Sequence, residues 1–234
     1  MIADAKNPSL AQLLDAAKKL GPLLDQIAFV GGCVTGLLVT DPAAAPVRTT
    51  LDVDAIIQIG SYPEFTRLEH RLRELGFRNS QEKDAPLCRW VNENLILDLM
   101  PTDPSILGFS NRWYRPALEH AETIRMERYE IRIISAPYFL ATKLEAFHGR
   151  GKNDYRSSHD LEDILTVIDG RAEITKEVSA CEPELRQYLQ SEFHALLETR
   201  DFLEALPGHL MPDAASQQRA GLVIERIRQL TIES

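Results

Sequence analysis

Apolar residues in the opening stretch "SLAQLLDAAKKLGPLL" recur at Leu10, Leu13, Leu14 and Ala17, the spacing of one helix face, with Ser9 placed to cap it. In "QIAFVGGCVTGLLV" the period changes. A short β-type run stops at Gly31 and Gly32 before a second apolar segment, which predicts a strand, a tight turn and a helix. "DPAAAPVRTT" has no period and reads as a loop. Alternation returns in "RTTLDVDAII", with Leu51, Val53 and Ala55 on one face and Asp52, Asp54 and Ile56 on the other. "YPEFTRLEHRLRELG" is again helical, through Phe65, Leu68, Leu72 and Leu75, and Gly76 closes it. "LCRWV" and "NLILDLMP" predict a strand pair joined by a short turn at residues 92–94.

The polar, proline-interrupted "TDPSILGFSNRWYRPALEHAE" is expected to run over the surface before a strand at "YEIRIIS". From Ala136 onward the reading is helical, over 136–148, 158–169, 171–178, 183–205 and 214–231. No repeat or low-complexity tract interrupts it. The expected class is α+β, with an α/β domain over 1–135 and a helical domain over 136–234.

Composition narrows the partners. A chain of 234 residues that is 44% apolar and 26% charged can bury a full core. Its formal net charge of −9 argues against nonspecific nucleic-acid binding over the whole surface, while leaving room for a local basic cleft. No apolar run approaches the roughly 20 residues that span a bilayer, and "MIADAKNPSL" lacks a signal-peptide pattern. The expectation is a cytoplasmic protein with no membrane partner. Cys33, Cys88 and Cys181 are widely spaced, which points to buried thiols rather than disulfides or zinc, with Cys33 after the glycine pair the one candidate for reactivity.

A bare D-x-D is most often the solvated end of a strand. Asp98 changes that balance, because it interrupts a strand that is otherwise apolar on both sides, and a buried carboxylate needs a partner. If the two strands are neighbours, Asp52, Asp54 and Asp98 converge. No basic residue separates the first two in sequence, and such a patch repels itself unless divalent cations occupy it; oxygen donors of this kind suit Mg²⁺. The Gly31–Gly32 turn leads from a strand into a helix, where backbone N–H groups attract phosphate. Alone, Gly-Gly is usually just a tight turn.

Taken in order, strand, Gly-Gly, helix, "RTTLDVD" and a strand with a lone Asp resemble the active-site order of the DNA polymerase β-like nucleotidyltransferase superfamily. Within it, "RTTLDVD", "LILDLMP" and above all "KLEAFHGRGKNDYRSSHDLEDI" resemble the AbiEii/AbiGii family of nucleotidyltransferase toxins, over roughly residues 26–170. The resemblance implies a mixed sheet flanked by helices, followed by a helical region. It also implies two Mg²⁺ ions on Asp52, Asp54 and Asp98, and a phosphate turn at Gly31 and Gly32. The superfamily's better-known Gly-Ser form has a hydroxyl where this chain has Gly32, so a hydroxyl contact would come from Thr35 or Thr50. Arg48, Lys143, Arg150 and Lys152 join the candidates for NTP binding, Lys143 also counting as catalytic, and Asp160, with Asp163, belongs to the family signature as a catalytic candidate that positions Lys143 or assists deprotonation of the acceptor hydroxyl. The implied reaction is transfer of NMP from an NTP to a hydroxyl acceptor, either RNA such as a tRNA 3′ end or a protein, with an antitoxin as partner. The alternatives are a nucleotide-binding or protein-interaction module without turnover, and a small-molecule nucleotidyltransferase.

Lys143 can also be judged from its own surroundings. It falls in the apolar stripe of "PYFLATKLEAFHGR", where an ammonium must snorkel or meet an anion. With a triphosphate as that anion, Lys143→Met should weaken NTP binding and leave folding unaffected or slightly improved. Asp160 and Asp163 open a helix that Ser157 is expected to cap, and His148 and His159 read as surface residues.

Overall fold

The computed structural model describes residues 8–151 and 154–232. They divide into two units. One holds the described residues up to Gly36 together with Arg48–Ser135, and the other holds Leu37–Val47 with the described residues from Ala136 onward.

The first unit is built on a mixed sheet. Its strands are β1 (Ile27–Val30), β2 (Val53–Ile57), β3 (Arg78–Asn79), β4 (Arg89–Asn92), β5 (Leu95–Pro101), β6 (Glu122–Met126) and β7 (Tyr129–Ile133), in the order β3-β4-β5-β2-β1-β7-β6. Every residue of β1 is buried, and β5 buries five of its seven, because central strands are covered on both faces. Helix α1 (Pro8–Leu20) buries Leu13, Ala16, Ala17 and Leu20. Helix α3 (Tyr62–Glu74) buries Leu68 and Leu72. Ser61 caps its start by accepting from the Glu64 N–H, and Gly76 follows its end at φ 86°.

Four local expectations change. Ser9 lies inside α1, and its hydroxyl accepts from the Thr50 N–H at 3.1 Å. After the glycine pair there is only a 3₁₀ turn, Gly32–Val34, and the short α2 (Thr35–Leu38), because the Thr40 and Asp41 N–H groups donate to the Gly170 carbonyl. The stretch expected to be irregular carries α4 (Pro104–Leu107) and α5 (Tyr114–Glu119), which bury Ile106, Ala117 and Leu118. Strand β6 was not expected; it is an edge strand whose only buried residue is Met126, so it shows no core-facing alternation.

The second unit is helical: α6 (Ala136–Arg150), α7 (His159–Gly170), α8 (Ile174–Ala180), α9 (Pro183–Glu198), α10 (Arg200–Ala205) and α11 (Ala214–Leu230). The single helix expected over 183–205 breaks at Thr199, whose ψ of 111° is extended. Leu189, Phe193, Phe202, Val223 and Ile227 belong to its core. Among the described residues, no helix is long and apolar enough to cross a membrane.

Polar contacts tie Leu37–Val47 into this unit. Thr40 and Asp41 N–H groups reach the Gly170 carbonyl at 2.8 Å, and the Arg171 guanidinium donates to the Leu38 carbonyl at 2.8 Å. A Cβ on Gly170 would lie 2.7 Å from Val39 Cγ1, so the segment packs where only glycine fits. Arg219 closes the arrangement. Its Nε donates to Asp169 at 2.7 and 2.9 Å, and its Nη2 to Asp41 at 2.8 Å.

Arg219→Met should therefore strand the nearly buried Asp169 carboxylate and lower unfolding stability by about 3 kcal/mol. Urea denaturation of the two proteins checks this, and coincident curves would deny Arg219 the role.

Candidate functional site

In the first unit, strand register brings the predicted carboxylates together. β2 and β5 are parallel neighbours with Asp54 opposite Asp98, and β1 is antiparallel to β2 with Val30 opposite Asp54. Side chains at paired positions share a sheet face, so Asp54 and Asp98 stand side by side. Asp52 lies in the bend before β2, and Leu51 there is 76% exposed rather than part of an inward face.

Gly31 makes room for Asp54. Its φ of 68° and ψ of −164° fall outside what L side chains adopt, and a Cβ there would lie 2.8 Å from the Asp54 carboxylate carbon. Two separate demands thus converge on one residue. Gly32 follows, buried at the start of the 3₁₀ turn. Cys33 is buried with its Sγ donating to the Val30 carbonyl at 3.0 Å.

Arg89 is the site residue that the sequence reading missed. It pairs with Asp98 in the antiparallel β4–β5 register. Its Nε donates to Asp98 Oδ1 at 2.8 Å, and its Nη2 to Asp98 Oδ2 at 2.7 Å and to Asp52 Oδ2 at 2.9 Å. A basic residue therefore does stand among the carboxylates, supplied by a neighbouring strand. The hydrogen bonds from Arg89 to Asp98 outweigh its partial burial and raise its pKa further, so it stays charged. The adjacent Cys88 thiol is pushed up to about 12 by burial and then by the Asp98 charge, which keeps it protonated.

The remaining candidates of this unit occupy its margin. Thr50 is buried, and its hydroxyl donates to the Asp52 carbonyl at 3.2 Å. Thr35 is fully buried. Arg48 lies at the start of the segment leading to β2, half-buried.

The second unit holds a separate ionic cluster. Lys143 on α6 donates to Asp163 Oδ2 at 2.6 Å and Asp160 Oδ1 at 3.2 Å, both on α7. Arg150 adds a fork to Asp160 at 2.9 and 2.8 Å. Lys143, Asp160 and Asp163 are all buried, while the Arg150 side chain is 72% exposed. Burial works to raise the Asp160 pKa, but the Arg150 hydrogen bonds and the Lys143 and Arg150 charges prevail and hold it below the usual 3.8. The α7 cap is Ser158, accepting from the Leu161 N–H; Ser157 instead bonds to Asp154. His148 and His159 are exposed, paired with Glu192 and Glu162. Lys152 lies outside the described residues.

Three carboxylates form a donor set of hard oxygens, the kind that suits Mg²⁺. Arg89 holds both oxygens of one and an oxygen of another, and among the described residues no group of three His, Cys, Asp or Glu side chains is arranged to hold a metal ion as it stands.

A solved structure, an antigenic nucleotidyltransferase-like protein from Paracoccidioides brasiliensis, is similar over 86% of this chain and 91% of its own, at 20% identity and a TM-score of 0.50. The fold is nucleotidyltransferase-like. The antibiotic-resistance factor ANT(2'')-Ia also aligns, over 81% of this chain and 93% of its own, at 16% identity and a TM-score of 0.44. No protein-family model and no curated protein matches the sequence.

Two outcomes follow from the second cluster. Because Lys143 faces two buried carboxylates, Lys143→Met should lose about 3–5 kcal/mol of stability instead of leaving folding untouched, a difference that a denaturant titration resolves. Asp160 ionises at lower pH when folded than when unfolded, so its contribution is complete above about pH 4 and fades as the pH falls through the folded value. Stability measured across that range should fall more steeply in the wild type than in Asp160→Asn; parallel curves would contradict the assignment.

Proposed function

We propose that the chain is a Mg²⁺-dependent nucleotidyltransferase. The observation that carries this reading is Asp54 in register beside Asp98, with Asp52 two residues before and Gly31 packed against Asp54 where no side chain fits. A purely structural strand pair has no use for two adjacent carboxylates with a turn packed against one of them where only glycine fits. The nucleotidyltransferase-like fold supports the reading.

Asp52, Asp54 and Asp98 would hold two Mg²⁺ ions, which when bound would neutralise the triphosphate and activate the acceptor hydroxyl. The chain's own residues bind and orient. The Gly31–Gly32 turn offers backbone N–H groups to phosphate oxygens, and its left-handed glycine keeps Asp54 in place. The acceptor hydroxyl gives its proton to solvent or to a carboxylate beside it, its oxygen attacks the α-phosphorus, the bond from that phosphorus to the bridging oxygen breaks, and pyrophosphate leaves. Arg150 is engaged by Asp160, so a role for it in NTP binding means giving up that carboxylate. Lys143 contributes to NTP binding only by giving up a carboxylate it already holds.

Within this activity we assign the chain to the AbiEii/AbiGii toxin branch, acting in the cytoplasm on RNA such as a tRNA 3′ end and held in check by an antitoxin. The support is the resemblance of "RTTLDVD", "LILDLMP" and "KLEAFHGRGKNDYRSSHDLEDI". Growth arrest on induction of the wild type but not of Asp52→Ala is the expected result; normal growth in both removes the toxin role and leaves the enzyme.

One observation favours a nucleotide-binding module without turnover, namely the guanidinium of Arg89 on Asp52 and Asp98. The enzyme reading expects label from α-labelled NTP to appear in total RNA or protein with Mg²⁺ and to vanish in a folded Asp54→Ala protein. Transfer that survives Asp54→Ala would sink it, and NTP bound tightly but recovered intact would favour the module.

A further inference from the structure

We infer that Arg89 is a chain-borne rival of the divalent cation, guarding Asp98, so that the site fills with metal only as the guanidinium lets go. This rests on the metal-dependent reading above. The two carboxylates that Arg89 holds are not held equally. At Asp98 it makes a two-point fork, Nε to Oδ1 at 2.8 Å and Nη2 to Oδ2 at 2.7 Å, on a carboxylate that is nearly buried. A fork of this kind occupies both oxygens of the carboxylate. At Asp52 it makes one contact of 2.9 Å to a side chain that is 36% exposed, where water competes.

The register explains why the rival is permanent in the fold. Arg89 and Asp98 are paired residues of one hairpin, so the backbone delivers the guanidinium to the carboxylate without a loop movement. A positive group tethered at this spot relieves the repulsion among the carboxylates while the chain folds. It also sets a threshold. A divalent cation must displace a charge-assisted fork at Asp98, whereas at Asp52 it displaces a single half-exposed contact. Metal should therefore engage Asp52 first and Asp98 last. Arg89 is a positioning residue in this scheme, acting on the carboxylates rather than on substrate.

The test uses Mn²⁺ alone as the probe, without nucleotide. Arg89→Gln keeps a polar side chain but removes the charge, and it should bind Mn²⁺ about tenfold more tightly than the wild type or better, by calorimetry. It should also melt lower than the wild type in chelated buffer and regain the loss when Mn²⁺ is added, a recovery that a merely structural arginine would not give. Equal Mn²⁺ affinity in the two proteins, with no recovery, overturns the inference and leaves the metal reading standing. Failure of both proteins to bind Mn²⁺ at millimolar concentration removes the metal reading and the inference with it. Should Arg89→Gln not fold, the wild type suffices. The Arg89 Nε–H resonance, fixed by its bond to Asp98, should shift during a Mg²⁺ titration, and a resonance that stays put while Mg²⁺ binds refutes the exchange.

Discussion

Two carboxylates held side by side by strand pairing form the constraint on which the rest of this site depends. Neighbouring strands lie about 4.8 Å apart, and at that spacing two full charges in a medium of effective dielectric about 20 repel by roughly 3 kcal/mol. The register of β2 and β5 fixes the backbone positions behind this repulsion, and the Arg89 fork on Asp98 offsets it. Everything around it reads as accommodation: a glycine that yields space to Asp54, a bend that brings up Asp52, and an arginine delivered from β4.

The two ionic clusters of the chain differ in composition and exposure. In the first, Arg89 holds Asp98 and Asp52, with Asp54 beside Asp98; in the second, Lys143 and Arg150 hold Asp160 and Asp163. The second is mostly buried between two helices. The first is rich in negative charge and half open to water.

Much of the first site was legible because strands have a period of two. Of "RTTLDVDAII" only Val53–Ile57 forms the strand, with Leu51 and Asp52 in the bend before it; Asp98 does interrupt β5, and the Gly-Gly turn falls where β1 stops. Arg89 was also within reach. A two-residue turn at Glu93 and Asn94 pairs Asn92 with Leu95, and counting back along the hairpin pairs Arg89 with Asp98. The clue lay in following register rather than in looking for basic residues nearby in sequence. Other features were hidden for a physical reason. Strand β6 buries one residue and carries no pattern to read, and the partners of Lys143 sit on a different helix, 17 and 20 residues away. A buried lysine announces that it needs an anion without saying which.

The segment Leu37–Val47 carries a consequence for the order of synthesis. It leaves the ribosome early, yet its partners Gly170 and Arg219 come much later, with Asp41 and Arg219 separated by 178 positions. A chain made at about 5–20 residues per second leaves that stretch waiting on the order of ten seconds or more before its last contact exists. For that interval Val39 and Ala44 have no glycine to pack on, and the early half of the protein travels with an apolar segment that belongs to its later half.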